Sequence, residues 1–321
     1  MRQDQILSRV LALFLLPAAL YAAPLPHGKG KVEIKQEPGK LRIEINGQLF
    51  SEYIYENTSR PFLYPIIGPG GAKMTRNWPM KDEGKEEHDH PHHKSWWYAH
   101  GSVNGIDFWS EAKGAGKTVH ESFTEIKSGD VGIISSKNKL VSVDGQTIAT
   151  DERTLKIYNV QDADLFDFEI TIHASNGDLT FGDTKEGTMA MRLNEEMRLT
   201  QPKNQKGQGH IINSEGVKDG QTWGKRAKWV DYYAPLDGKT VGVAIFDHPK
   251  NPRFPTWWHV RDYGLFAANP FGVHDFEKKP KDTGNLTVKA GDSISFRYRF
   301  YIHKGNEMEA NVADQYMEWA K

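Results

Sequence analysis

From Val32 to Ile302 one pattern recurs: short runs of alternating apolar and polar residues, each closed by a turn signal. Val32-Glu-Ile-Lys-Gln and Leu41-Arg-Ile-Glu-Ile alternate and are joined by Pro38-Gly39-Lys40. A side-chain period of two on either side of a Pro-Gly turn predicts a hairpin. The cleanest run is Ser293-Ile-Ser-Phe-Arg-Tyr-Arg-Phe-Tyr-Ile302. Further strands are expected at 49–55, 132–136, 139–143, 147–157, 165–174, 188–193, 229–234, 241–246 and 286–288. Asn46-Gly47, Asp144-Gly145, Asn176-Gly177 and Asp237-Gly238 punctuate them as turns. One helix is expected, from Met308 to Lys321. Repeated strand–helix alternation, the mark of a doubly wound parallel sheet, is missing. The fold class that follows is all-β: a large antiparallel β-sandwich with long functional loops and a C-terminal helix.

The first residues stand outside this pattern. Arg2 and Arg9 flank a polar start, Val10 to Leu20 is apolar, and Ala22-Ala23 precede Pro24. A charged start, an apolar stretch and small residues at the cut are the layout of a secretory signal peptide. The apolar run is shorter than the roughly 20 residues a spanning helix needs. Residues 1–23 are therefore expected to be a signal peptide and 24–321 a single β-sandwich domain, periplasmic or secreted, with no membrane insertion. The 41 basic and 42 acidic side chains nearly cancel, which gives no electrostatic reason to expect nucleic acid as a partner. With no cysteine, the chain forms neither disulfides nor a thiolate metal site.

Two stretches, 60–111 and 247–285, are long and rich in Pro, Gly, His, Trp and Asn, and are expected to be loops forming the working surface. The segment His88-Asp-His-Pro-His-His-Lys-Ser-Trp-Trp-Tyr-Ala-His100 holds five of the 13 histidines. Imidazole is both the usual acid or base near neutral pH and a common metal ligand. Pro91 disfavours a helix at His90, so an extended path is expected, with residues 88, 90 and 92 on one face. His90, His92, His93 and His100 are candidate acid–base residues. His90, His92 and His93 are also candidate ligands for a divalent transition metal such as Zn, Cu, Fe or Ni. Asn104-Gly105 turns Asp107 back toward this segment, where a carboxylate can orient a histidine.

Lys185 and Glu186 sit in a Gly-bounded turn before a strand carrying Arg192. Glu186 is a candidate acid or base, and Lys185 and Arg192 are candidate substrate contacts. In the second stretch, His259 and Arg261 alternate with Trp258 and Val260 and so share a face, and Asn269 follows. These three join Arg76 and Trp97 as candidate substrate-binding residues. Six of the nine tryptophans (78, 96, 97, 109, 257 and 258) fall in the two stretches. Aromatic rings pack on apolar sugar faces while His, Arg, Asn and carboxylates take hydroxyls, which points to a carbohydrate.

Several blocks also carry a family resemblance: Asp89-His-Pro-His-His, His100-Gly-Ser-Val-Asn-Gly-Ile-Asp-Phe-Trp109, Gly182-Asp-Thr-Lys-Glu-Gly187, Trp223-Gly-Lys-Arg-Ala-Lys-Trp229, Pro255-Thr-Trp-Trp-His-Val-Arg261 and Asn269-Pro-Phe-Gly272. Together they resemble the PmoA-like family, exported bacterial proteins common where glycan-degrading genes abound. The resemblance covers nearly all of the chain after the signal and implies fold and export. The family's label, methane oxygenase, implies a metal-dependent oxygenase as one alternative. The leading expectation is an exported carbohydrate-active enzyme, a hydrolase, lyase or epimerase acting on a glycan or small sugar. The remaining alternative is a non-catalytic sugar-binding module.

Overall fold

A computed structural model describes residue 25, residues 27–84 and residues 86–321. The expected signal segment, 1–23, lies outside these residues.

Two eight-stranded sheets stack as a mostly-β sandwich. The first runs in the order Val32–Glu37, Lys40–Ile45, Gln48–Ile54, Phe62–Leu63, Trp96–His100, Gly187–Arg192, Leu265–Asn269, Trp257–Val260. The second runs His210–Asn213, Trp229–Leu236, Lys239–Asp247, Ser293–Lys304, Ala163–His173, Thr147–Tyr158, Val131–Val141, Lys117–Lys127. Neighbours in both are antiparallel, as in the Val32–Ile45 hairpin and in the pairing of Ala163–His173 with Ser293–Lys304. The inward residues of both sheets form one core, to which Ile43, Trp96, Met189, Trp258 and Phe266 contribute from the first sheet and Ile134, Phe168, Ile245 and Phe300 from the second. Trp96 meets Phe166, Phe168 and Phe300 edge-on, with ring centroids 5.8, 5.0 and 5.7 Å away. Each such side chain taken out of water contributes about 1.5–3 kcal/mol.

The two expected long loops are not loops throughout. They contain the strands Trp96–His100, Trp257–Val260 and Leu265–Asn269, and every residue of these three is buried. The reason is a second apolar layer on the outer face of the first sheet, made of Phe62, Trp97, Ala99, Trp109, Ala190, Leu265 and Ala267. A strand covered on both faces shows no apolar–polar alternation. Two other expectations change. The runs 132–136 and 139–143 are one strand, Val131–Val141, because buried Asn138 donates to Asp151 Oδ1 at 2.7 Å rather than breaking the ladder. The C-terminal helix is shorter than Met308–Lys321 and spans Val312–Trp319. Before it, Asn306 Oδ1 accepts from the backbone N–H groups of Met308 and Glu309, and Asn311 is left-handed at φ 52°. Among the described residues no helix is long and apolar enough to cross a membrane.

The second sheet encloses an ion pair. His303 Nε2 donates to Asp231 Oδ1 at 3.0 Å, and both residues are at most 1% exposed. Burial pulls the imidazole pKa down, but the Asp231 charge and hydrogen bonds to it and to backbone carbonyls outweigh that and raise it above the ordinary value. A raised folded pKa means that this stabilisation is complete below the unfolded value of roughly 6.5 and is lost as pH rises through the folded value. Urea unfolding of His303→Ala is therefore expected to show a loss of about 3 kcal/mol at pH 6 that shrinks toward pH 9. A deficit that does not change with pH would contradict the pair's role.

Candidate active site

The outer layer of the first sheet carries a cleft of about 580 Å³ lined by His90, His92, His93, Gly101, Asp107, Trp109, Ser110, Lys185, Glu186, His259, Arg261 and Tyr263. Such a volume is typical of small-molecule sites. Strand parity builds its floor. Residues 96 and 98, 189 and 191, 258 and 260, and 266 and 268 point into the sandwich. Residues 97 and 99, 190, and 265 and 267 point to the outer layer. Register places Ala190 between Trp97 and Ala267, and Ala267 beside His259. The small alanines leave a hollow in which Trp109 packs 5.1 Å from Trp97 and His93 stacks 5.3 Å from it.

The histidine segment crosses this floor as a β-turn, not as the expected extended strand. His93 N–H donates to His90 C=O at 2.9 Å, which puts Pro91 at the second turn position, where its fixed φ is favoured. The turn pairs His90 with His93, ring centroids 4.7 Å apart at 9°, and Tyr263 stacks on the other side of His90 at 5.3 Å. His88 leaves the group and stacks on Trp78 at 3.8 Å.

Asp89 anchors the turn. It accepts from Arg76 Nη1 and, at 3.0 Å, from Arg192 Nη2, and both arginines are fully buried. Asp89 Oδ2 also accepts from His90 Nδ1 at 2.8 Å. Burial alone would raise the Asp89 pKa, but the His90 bond and the two guanidinium groups hold it well below the usual carboxylate range. A carboxylate at Nδ1 fixes the ring and leaves Nε2 as the working nitrogen. Arg192 Nη1 donates to His93 Nδ1 at 3.2 Å. A guanidinium has no acceptor, so the His93 proton is on Nε2. Burial and Arg192 push the His93 pKa far down and keep it neutral. Burial, aided by Arg60, pushes His92 down to about 4. Arg60 staples the turn to the Asp107 loop by donating to the carbonyls of His92, Phe108 and Trp109.

The opposite wall is the segment 182–187. Asn269 Nδ2 donates to the carbonyls of Thr184 and Lys185, both at 2.9 Å, and its Oδ1 accepts from Phe271 N–H. His259 Nδ1 donates to the Lys185 carbonyl at 2.7 Å, and burial lowers its pKa to about 4. Asp275 accepts from Lys185 N–H at 2.8 Å. These bonds present Lys185 and Glu186, ion-paired with each other, to the cleft. Asn269 is thus a positioning residue rather than the expected substrate contact. Asn269→Ala takes the donor from the half-buried Thr184 carbonyl and one of two donors from that of Lys185, so a loss of about 2 kcal/mol in urea unfolding and faster amide exchange across 182–187 are expected. Unchanged exchange would show that the other bonds suffice.

Other candidates fall elsewhere. His100 has the parity of Trp96 and Tyr98 and points into the sandwich, away from the cleft. Its Nε2 donates to the Gly182 carbonyl at 2.8 Å, its ring packs 4.8 Å from Phe271, and burial lowers its pKa to about 4. Arg76, Trp97 and Arg192 lie beneath the cleft as support. Asp107 reaches the cleft wall, but its oxygens accept from Trp109 N–H at 2.6 Å, Ser110 N–H at 3.0 Å and the Ser110 hydroxyl. The expected metal ligands His90, His92 and His93 do come together, yet His90 and His93 stack face to face, so their in-plane lone pairs run parallel. Arg192 also fixes the tautomer of His93. Among the described residues no three His, Cys, Asp or Glu side chains are arranged to hold a metal ion. Asp89, Trp109 and Tyr263 were not among the expected site residues.

Residues 40–318 match the model of a family of unknown function, DUF6807, and the chain belongs to that family. No curated protein matches it. Among solved structures it is similar to a glycoside hydrolase family 97 enzyme from Pseudoalteromonas sp. strain K8 in complex with panose, at 11% identity and a TM-score of 0.35, covering 88% of this chain and 35% of that one. A polysaccharide lyase matches at 13% identity and a TM-score of 0.32, over 90% of this chain and 34% of the lyase. A protein provisionally assigned as an aldose 1-epimerase from Escherichia coli K12 matches at 9% identity and a TM-score of 0.28, over 86% of this chain and 100% of that one. The chain therefore spans little more than a third of the hydrolase and the lyase.

Proposed function

We propose that the cleft binds a carbohydrate and moves protons on it using side chains alone. His90, oriented by Asp89, takes up a proton at Nε2, and Glu186 is the second proton-transfer group. The observation that carries this reading is the Asp89–His90 pair: a carboxylate fixed by two buried arginines holds Nδ1, and Nε2 has no hydrogen-bond partner among the described residues in a cleft that Glu186 also lines. Tyr263, partly exposed, offers apolar surface above the buried Trp109, while Ser110 and Lys185 offer donors for hydroxyls. Hydrolysis in most glycosidases uses two free carboxyl groups. Asp107 is tied into its own turn, so among the described residues lining the cleft Glu186, paired only with its neighbour Lys185, is the one carboxyl group left for proton transfer. Epimerisation or elimination, which need a base and an acid, fit this site better. With residues 1–23 as a signal peptide, the enzyme would meet its glycan outside the cytoplasm.

Neutral and acidic oligosaccharides incubated with the protein, with products followed by mass spectrometry and NMR, test the reading. Product is expected to form after exhaustive EDTA dialysis and to be lost in Glu186→Gln. Activity that EDTA abolishes and a transition metal restores would overturn it.

A further inference from the structure

We infer that the cleft recognises a carboxylate, so that its substrate is a hexuronic acid or a glycan built from one. The inference rests on the carbohydrate reading above and goes beyond it by fixing the charge of the ligand.

The charges around the cleft are almost all matched. Arg60 pairs with Glu111, Arg76 and Arg192 with Asp89, and Arg198 with Glu195 and Glu87. Lys94 pairs with Glu111 and Lys185 with Glu186. Arg261 is the exception. It lines the cleft half-buried, yet its guanidinium makes no hydrogen bond or ion pair with any described residue and lies over the Tyr263 ring, 5.2 Å from the centroid. Its backbone is fixed, with N–H donating to Leu265 C=O at 2.7 Å and C=O accepting from Gly264 N–H at 3.1 Å. An unmatched guanidinium held on an aromatic ring in a cleft presents a planar donor fork suited to a carboxylate.

A second, independent donor faces the same space. His93 is 1% exposed, and its ring is held between Trp97 and His90. Arg192 occupies Nδ1, so the proton stands on Nε2, which has no hydrogen-bond partner among the described residues. His93 is therefore a fixed neutral N–H donor in the wall of the cleft. The Arg261 fork alone matches the two oxygens of one carboxylate, while His93, across the His90 ring in the same cleft, offers its N–H to another oxygen of the sugar.

Isothermal titration of the full chain with glucuronate, galacturonate and mannuronate, each against its parent hexose, tests the inference. At least one hexuronate is expected to bind about tenfold or more tighter than its hexose, since a hydrogen bond to a charged group is roughly twice as strong as a neutral one and the fork supplies two. Arg261→Gln is expected to remove that preference, weakening hexuronate binding about tenfold or more and hexose binding far less, and Arg261→Lys to restore part of it. Circular dichroism confirms that both variants fold. Equal binding of hexuronate and hexose by the wild type, or a preference that survives Arg261→Gln, overturns the carboxylate while leaving the sugar reading intact. Tighter binding of galactose 6-sulfate than of any hexuronate also overturns it and assigns the cleft to a sulfate ester. Failure of all sugars to bind overturns both readings.

Discussion

His90→Ala is expected to lower kcat by about 10²- to 10⁴-fold, the range that a positioned acid–base group contributes. The protein should remain folded, because His90 is exposed and its hydrogen bond to Asp89 is at the surface end of the network. The neighbouring histidines make the prediction discriminating. His92 is held near a pKa of about 4 and has its backbone, not its ring, tied to Arg60. His93 has one nitrogen occupied by Arg192. His92→Ala is therefore expected to cost much less in kcat than His90→Ala. Steady-state kinetics of both variants on the substrate found in the oligosaccharide screen would settle the order, and the reverse order would remove His90 from its assigned role.

Asp89→Ala is expected to produce the largest loss of stability. It leaves the guanidinium groups of Arg76 and Arg192, both fully buried, with Glu195 as their remaining carboxylate, 3.6 Å from each. Removing one partner of a buried ion pair costs about 3–5 kcal/mol, and the partial exposure of Asp89 argues for the lower figure. The pH dependence has a definite sign. The folded pKa of Asp89 is depressed, so its stabilisation is complete above the unfolded value near 4 and is lost as pH falls through the folded value. Urea unfolding should show the full deficit at pH 7 and a smaller one near pH 3. A deficit of equal size at both would mean that packing, not charge, explains it. The same variant should lose activity, because His90 loses its orienting partner.

The fold was legible wherever strands have one wet face. Ser293–Lys304 alternates buried and exposed residues and reads directly as a strand. Trp96–His100 and Leu265–Asn269 were hidden because both faces are covered, and a fully buried pentapeptide carries no period. For the site, the sequence brought forward His90, His92, His93, Glu186, His259 and Arg261, all of which line one cleft. What it left out had physical signals. Tyr263 continues the two-residue spacing of His259 and Arg261. Pro91 favours the second position of a turn as strongly as it disfavours a helix, which would have paired residues 90 and 93. Asp89 precedes its histidine directly, but nothing local tells that two distant arginines converge on it. His100 looked like one more member of the cluster, and only its parity with Trp96 excludes it.

That parity has a consequence for how this protein can change. Core and cleft share the same strands, as opposite edges of one zipper: Met189 and Met191 face inward while Ala190 and Arg192 face the site. Inserting or deleting a single residue within Gly187–Arg192 would turn the strand inside out, driving a guanidinium into the sandwich and methionines under the histidines. Substitutions on the cleft face and length changes in the loops above it carry no such penalty. Divergence among relatives should therefore accumulate as side-chain swaps and loop variation over strands whose lengths stay constant.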